Sequence, residues 1–288
     1  MDILKPYRPS RAPVKTPDMI DLFVLAEGHG LTILRGQPNQ PSQPTGQPLI
    51  VVFNGIARRA RWPNFVGMIA RSGRPAVFVI DHTQSWYGTP GAADLITDTV
   101  RAEAARLGQT RIDTLGFSMG GFAALAFASR LPVRRATSLA PFFSPDSAIV
   151  PEARYRDTRD PLSGSFVFPT LAPGLAQVDR GLIVHGMRGP DWHHYRRIAD
   201  RPGVDHWLLP GASHHVANYL REVGLLDRLI SLALADDGPG LAQLLAGLGG
   251  LPKNSSAAEI RLLKIRCHDG LLRVRRRIGR VFGKKESP

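Results

Sequence analysis

The chain has 288 residues, 43% of them hydrophobic, which is enough for one large core. Its single cysteine, Cys267, excludes an internal disulfide, and no apolar run reaches the roughly 18 residues of a membrane-spanning helix. The formal net charge is +13, and residues 251–288 hold eleven Lys and Arg against three Asp and Glu, so this tail carries +8 of it. The start of the chain lacks the apolar core of a secretory signal, and we expect a cytoplasmic protein.

The first elements in chain order are two short strands within 19–36, around a turn at Gly28–Gly30, followed by a loop with four prolines. From residue 49 onward apolar runs alternate with amphipathic stretches. Strands are predicted at 49–55, 75–81, 111–117, 134–142, 181–186 and 205–211, and helices at 62–73, 94–108, 119–131, 191–200 and 214–234. This alternation predicts an α/β fold with a mostly parallel sheet and helices on both faces.

Two stretches depart from the alternation. Residues 145–180 are irregular and lie between two predicted strands, where a lid over a site could sit. The alternation stops near residue 236. We therefore predict one domain over 1–235, and over 236–288 a linker or short helix followed by a basic, helical C-terminal extension.

Ser118 lies in the sequence GFSMGG, between a predicted strand and a predicted helix. A sharp turn of this kind strains the serine backbone, and Gly116 and Gly120 remove side chains that would collide across it. The helix N-terminus then points backbone N–H groups toward the serine oxygen. The pattern favours Ser118 as a nucleophile over a serine that only caps the helix.

A serine hydroxyl needs a base, and the base needs an acid that fixes its tautomer. His214 and His215 follow the last predicted strand, and only one of them can face Ser118; His214 is the preferred base. Asp191, shortly after the preceding strand, is the preferred acid, and Asp205 is the alternative. Solvated histidines and a helix-capping aspartate are the competing interpretations.

An acyl-transfer intermediate also needs hydrogen-bond donors for its oxyanion. The backbone N–H of Met119 follows the nucleophile directly and is the first predicted donor. The second is the N–H of Ile56, in the loop that follows a buried strand, where Gly55 allows close approach of a substrate. Asn54 belongs to the same predicted substrate-binding loop; an ordinary glycine turn is the alternative interpretation.

The order Ser118, Asp191, His214, with the strand–helix alternation, resembles the α/β-hydrolase superfamily over roughly residues 18–235. The likeness is carried by GFSMGG, VVFNG, HGMRGPD and LPGASHH. Asn54 stands where members often have His, which is a departure from the pattern. The resemblance implies an eight-stranded, mostly parallel sheet and a serine hydrolase or acyltransferase, without naming a substrate.

Residues 81–87 follow a core strand at the edge where the site is expected, so Asp81, His82, Trp86 and Tyr87 are candidates to line the pocket. Polar and aromatic groups together suit a sugar or an acyl ester, although an ordinary packed loop is the slightly preferred interpretation. Arg58, Arg59 and Arg61 could attract an anion, but a solvated face is the preferred interpretation. No phosphate cradle and no metal-ligand spacing is found, so we expect neither cofactor nor metal.

The basic tail spaces apolar residues three to four apart among cations, which predicts amphipathic helices broken at Gly270. A tail that packs on the domain or stays solvated is the preferred interpretation. An anionic membrane surface or glycan is the next candidate partner, and the lack of interleaved aromatic residues disfavours nucleic acid. We therefore expect a cytoplasmic protein that can associate with the membrane periphery through this tail.

The functional hypothesis is a serine hydrolase that cleaves a small-molecule, glycan or lipid ester through an acyl-serine intermediate. One alternative is an acyltransferase acting on a glycan or lipid, which the sequence does not separate from a hydrolase. The other is a non-catalytic binding protein of the same fold, docked through its basic tail.

Overall fold

The computed structural model describes residues 14–15, 20–39, 47–56 and 62–264. Its centre is one sheet of ten strands in these residues, in the order β1-β2-β3-β5-β4-β6-β7-β8-β9-β10. The strands are β1 Val14–Lys15, β2 Ile20–Gly28, β3 Leu31–Pro38, β4 Leu49–Phe53, β5 Ala76–Asp81, β6 Ile112–Phe117, β7 Val133–Leu139, β8 Arg180–Gly186, β9 Val204–Leu209 and β10 Leu251–Pro252.

Strands β4 to β9 pair in parallel, in the order β5-β4-β6-β7-β8-β9, while β1, β2, β3 and β10 pair antiparallel to their neighbours. The eight longer strands, β2 to β9, agree with the expected eight-stranded, mostly parallel sheet. Each edge carries one further strand of two residues, β1 and β10.

The helices are α1 Val66–Ser72, α2 Pro90–Arg106, α3 Met119–Ala126, α4 Arg156–Arg159, α5 Ala172–Leu175, α6 Trp192–Tyr195, α7 Val216–Glu222, α8 Leu226–Ala235 and α9 Gly238–Gly247. The prediction of one helix over 214–234 is wrong, because the chain divides there into α7 and α8. Gly224 lies between them with φ +72°, a left-handed conformation that interrupts helical backbone.

The helices cover both faces of the sheet, as predicted. In β4, Val51 and Phe53 point into a core shared with α2, α3 and α5, whereas Ile50 and Val52 point into a core shared with α1, α7, α8 and α9. Period-two alternation in a strand buried on both faces produces this division, and it explains the uninterrupted apolar run of residues 49–53.

Past residue 235, where we predicted a linker or a short helix, the chain forms helix α9 and strand β10. Helix α9 buries Leu241 and Leu245 in the second core, and Leu251 of β10 pairs with Leu208. The described chain then ends in helical backbone over 256–264. Most of the predicted basic amphipathic tail, 265–288, lies outside the described residues. Among the helices that the structure describes, none combines the length and apolar composition needed to cross a bilayer.

Candidate active site

Ser118 sits between the end of β6 and the start of α3, with φ 57° and ψ −118°. The turn closes because two glycines carry no side chain. A Cβ on Gly116 would lie 2.0 Å from the carbonyl oxygen of Gly120, and a Cβ on Gly120 would lie 2.0 Å from that of Phe53. Backbone therefore packs directly on backbone around Ser118, and this contact fixes its strained conformation.

The imidazole of His214 meets the hydroxyl of Ser118. Ser118 Oγ and His214 Nε2 are 2.8 Å apart, and the two residues are 3% and 6% exposed. The loop between β9 and α7 carries His214 to this point. His215, the alternative base, is exposed and takes the N-cap position of α7.

Asp191 lies on the other side of the same imidazole. His214 Nδ1 is 3.0 Å from Asp191 Oδ2 and 3.1 Å from Oδ1, and Asp191 is 1% exposed. An ionised carboxylate only accepts hydrogen bonds, so His214 Nδ1 carries the hydrogen and Nε2 presents its lone pair to Ser118. Asp205, the alternative acid, is exposed on β9.

The loops that hold Asp191 and His214 are fastened to each other. Arg188 N donates to Ala212 O at 2.9 Å, and Met187 N donates to Leu209 O at 3.0 Å. A Cβ on Gly186, at the end of β8, would lie 2.1 Å from the carbonyl oxygen of Ser213. Glycine at this position thus lets the acid loop lie against the histidine loop.

A second charged group contacts Asp191 and was not found by sequence reasoning. Arg154 forms an ion pair with Asp191, Nη1 to Oδ1 at 2.7 Å, and also binds the buried Glu152. Burial raises the pKa of Asp191, but the hydrogen bond from His214 and the charges of His214 and Arg154 outweigh it and place the pKa well below its usual range. Asp191 is therefore ionised at neutral pH.

On the opposite side of Ser118, the loop after β4 is held by two asparagines. Gly55 N donates to Asn64 Oδ1 at 2.8 Å, and Asn64 N donates to Asn54 Oδ1 at 2.8 Å. A Cβ on Gly55 would lie 3.0 Å from the carbonyl oxygen of Phe117, so this loop passes close to the serine turn. The side-chain Nδ2 of Asn54 is buried and makes no hydrogen bond within the residues described.

The two predicted oxyanion donors differ in setting. Met119 is the first residue of α3, so its N–H has no acceptor within the helix. The Gly55 N–H is already bound to Asn64, and Ile56 carries the next amide of the loop. Their role as oxyanion donors stays a prediction.

Of the predicted pocket residues in the loop after β5, Asp81, Trp86 and Tyr87 are buried, whereas His82 is exposed. The carboxylate of Asp81 accepts hydrogen bonds from Thr83, Ser85 and Tyr87 of its own loop. Trp86 is fully buried, and its ring centroid lies 4.8 Å from that of Phe142.

The imidazole of His214 contacts two aromatic rings, and one of them contacts Trp86 in turn. The ring of Phe142 lies 5.5 Å from the ring of His214, and the ring of Phe117 lies 5.7 Å from it. Trp86 is thus separated from His214 by one ring. His82 bonds Thr32, with Nε2 at 3.0 Å from Oγ1.

The predicted anion-binding arginines, Arg58, Arg59 and Arg61, lie outside the described residues. Over the described ranges, no group of three or more His, Cys, Asp and Glu side chains is arranged to hold a metal ion.

The chain matches no protein-family model and no curated protein. Its structure is similar to that of the 2,6-dihydroxy-pseudo-oxynicotine hydrolase, with TM-score 0.54 and 14% identity, covering 75% of this chain and 67% of that one. It is also similar to the Glycosylation Associate Protein (Gap123) complex from Streptococcus agalactiae, with TM-score 0.52 and 12% identity, covering 75% of this chain and 46% of that one. The present chain thus spans less than half the length of that second neighbour.

The esterase Pf2001 of Pyrococcus furiosus covers 81% of this chain at 12% identity, with TM-score 0.49. The two neighbours with TM-scores above 0.5 and the strand order of the sheet define the fold. The chain has the α/β-hydrolase fold.

Proposed function

We propose that this protein is a serine hydrolase that cleaves an ester-type bond through an acyl-serine intermediate. The observation that carries the proposal is the 2.8 Å contact between Ser118 Oγ and His214 Nε2, backed by Asp191 on His214 Nδ1. These are the distances at which a base takes a hydroxyl proton while an acid orients the base.

In the proposed reaction, Ser118 Oγ attacks the carbonyl carbon of the ester while His214 Nε2 takes the hydroxyl proton. Asp191 holds the imidazole in the required tautomer and stabilises its cation. The tetrahedral oxyanion is held by the Met119 N–H at the start of α3 and by the Ile56 N–H. His214 then gives its proton to the leaving alkoxide, and the acyl group remains on Ser118.

Water completes the cycle. The water oxygen attacks the acyl carbon while His214 takes a proton from the water. His214 then returns that proton to Ser118 Oγ as the carboxylic acid product leaves.

Asn54, Gly55, Asp81 and Trp86 stay proposed contributors to the substrate pocket. The substrate is proposed as an ester of a small molecule, a glycan or a lipid.

The test is labelling by a serine-directed fluorophosphonate, followed by a panel of short acyl esters. Ser118→Ala removes the attacking oxygen, and we expect no labelling and a loss of kcat of about 10³-fold or more. Ser129→Ala is the matched control, because Ser129 lies just beyond α3 and its hydroxyl only bonds Ala126 O. Equal labelling of Ser118→Ala and wild type would overturn the proposal.

The same panel, repeated with acceptor sugars or alcohols, separates a hydrolase from an acyltransferase. Release of free acid at an unchanged rate supports hydrolysis. Formation of a new ester on the acceptor at the expense of free acid would revise the reaction to acyl transfer, with the same nucleophile.

A further inference from the structure

Arg154 is placed against the acid side of the site by the segment between β7 and β8. Its Nη1 lies 2.7 Å from Asp191 Oδ1. Its Nε and Nη2 bind Glu152 Oε1 and Oε2 at 2.7 and 2.6 Å, and its Cζ lies 4.9 Å from the centre of the Phe142 ring. One guanidinium therefore joins two carboxylates that are only 2% and 3% exposed.

Glu152 is itself held in place by His194. Phe143 N donates to His194 Nδ1 at 3.1 Å, so Nε2 carries the hydrogen and donates to Glu152 Oε2 at 3.1 Å. The His194 ring is stacked on Phe142 with centroids 4.0 Å apart. Burial lowers the pKa of His194 to about 4, so this ring is neutral above about pH 5.

The other titratable groups around Asp191 and His214 are His185 of β8, Tyr195 of α6, Tyr155 before α4 and His215, whose ring lies 5.7 Å from that of His214. His185 of β8 is fully buried, and burial lowers its pKa to about 4. Burial, and then the charge of Asp191, raise the pKa of Tyr195. Both side chains are thus neutral near pH 7. The charged groups that act on Asp191 there are Arg154 and, when protonated, His214.

Resting on the proposed function, we propose that Arg154 is a positioning residue that sets the lower pH limit of activity by sharing Asp191 with His214. A carboxylate that also neutralises a guanidinium attracts an imidazolium less strongly. The ion pair with Arg154 therefore weakens the attraction of Asp191 for an imidazolium at His214, and it orients the carboxylate through the contact at Oδ1. Glu152 opposes this effect, because it competes with Asp191 for the same guanidinium.

The proposal is tested by the pH dependence of kcat/KM in two variants with opposite expected signs. Arg154→Met leaves two carboxylates without their cation, and the acid limb should move up by about 0.5 to 1 pH unit, with kcat about tenfold lower. Glu152→Gln leaves the whole Arg154 charge to Asp191, and the acid limb should move down. If the cluster has a merely structural role, the acid limb should shift in the same direction in both variants, or in neither.

Two further variants make the result specific. Arg154→Lys keeps a charge and should return the acid limb toward wild type. Arg156→Met, two residues away, removes an exposed arginine whose contact is a 3.4 Å hydrogen bond to Glu152 O, and should leave the limb unchanged. If Arg154→Met does not fold, the direction of the shift in Glu152→Gln decides alone. An upward or absent shift in Glu152→Gln overturns the proposal.

A readout without turnover separates this inference from the proposed function. The titration of the His214 ring is followed by NMR in the Ser118→Ala background, with and without each substitution. The midpoint should rise with Arg154→Met and fall with Glu152→Gln. Absence of esterase activity in wild type would overturn the proposed function alone, whereas unchanged midpoints would overturn the role of Arg154.

Discussion

The turn around Ser118 and the cluster around Asp191 hold two sides of one site by different means. At the turn, Gly116 and Gly120 let backbone meet backbone, and no charged group takes part in the contact. At the cluster, the buried carboxylates of Asp191 and Glu152 share the partly exposed guanidinium of Arg154. The packing of backbone on backbone does not depend on pH, whereas the ionisation of the cluster's side chains does. The turn around Ser118 should therefore keep its structure as the pH falls, whereas the cluster around Asp191 should lose its structure first.

The largest effect is expected from breaking the turn. Gly120→Ala would place a Cβ 2.0 Å from the carbonyl oxygen of Phe53 and 2.7 Å from that of Asn54, both backbone atoms that side-chain rotation cannot move. We expect a loss of unfolding free energy above about 4 kcal/mol, or little folded protein, measured by urea denaturation.

The matched control for the turn is Gly247→Ala. Gly247 is the last residue of α9, and a Cβ there would meet nothing within 4 Å. This change should leave stability equal or raise it by up to about 1 kcal/mol. Equal effects of the two alanines would contradict the close-packing account of the turn.

Acid should weaken the cluster side progressively. Burial lowers the pKa of both His185 and His194 to about 4. The unfolded chain therefore takes up protons first as the pH falls below about 6.5, and the unfolding free energy should drop by about 2 kcal/mol per histidine by pH 5. Urea denaturation at pH 7, 6 and 5 measures the slope.

Below about pH 4.5 a carboxylate adds to the same loss. Burial opposes the charged form of Glu152, but hydrogen bonds from His194 and Arg154 outweigh it and lower the pKa to about 2. A carboxylate with a lowered pKa stabilises the fold at pH values above its pKa in the unfolded chain, and it loses that contribution as the pH falls toward 2.

His194→Asn should flatten the slope of the unfolding free energy between pH 7 and 5, and the exposed His215→Asn should leave that slope unchanged. Identical slopes would argue against the buried neutral histidine.

A smaller effect should reveal the strain at the nucleophile. Ser118 has φ 57° and ψ −118°, a conformation that glycine adopts more readily than other residues. Ser118→Gly should be more stable than Ser118→Ala by about 1 kcal/mol, since both variants lack the hydroxyl and only glycine relieves the strain. Urea midpoints in the reverse order would show that the turn is not strained.

The smallest effect is expected from charges that face water. Arg71 and Asp227 form an ion pair whose side chains are 49% and 59% exposed. Asp227→Asn should change the unfolding free energy by less than about 0.5 kcal/mol, because solvent screens such pairs. A large change would mean that charge alone, without burial, determines the contribution of an ion pair in this protein.

The sequence predicted the serine side of the site because its constraints are local. A strand, a serine flanked by glycines and a helix specify the turn around Ser118 within a dozen residues. The strand ends also pointed to Asp191 and His214, because parallel strands present their carboxyl ends at one edge of the sheet. The pairing of His214 rather than His215 with Ser118 depends on how one loop folds, and only the structure gives it.

Glu152 and Arg154 could not be found in this way. They belong to the polar sequence PEARYRDTRDP, in which charged residues in an irregular segment would ordinarily be exposed. The burial of Glu152 and the position of Arg154 depend on partners that are distant in the chain, His194 and Asp191. For the same reason the division between α7 and α8 at Gly224 was missed, since isolated glycines occur within helices as well as between them.

The two-residue strand β10 has a consequence for how molecules of this protein behave toward one another. Leu251 and Pro252 cover part of the outer side of β9, and a proline nitrogen carries no hydrogen to donate. A strand from a neighbouring molecule would find an incomplete ladder at this position. The edge is therefore a poor template for intermolecular β-pairing at this position.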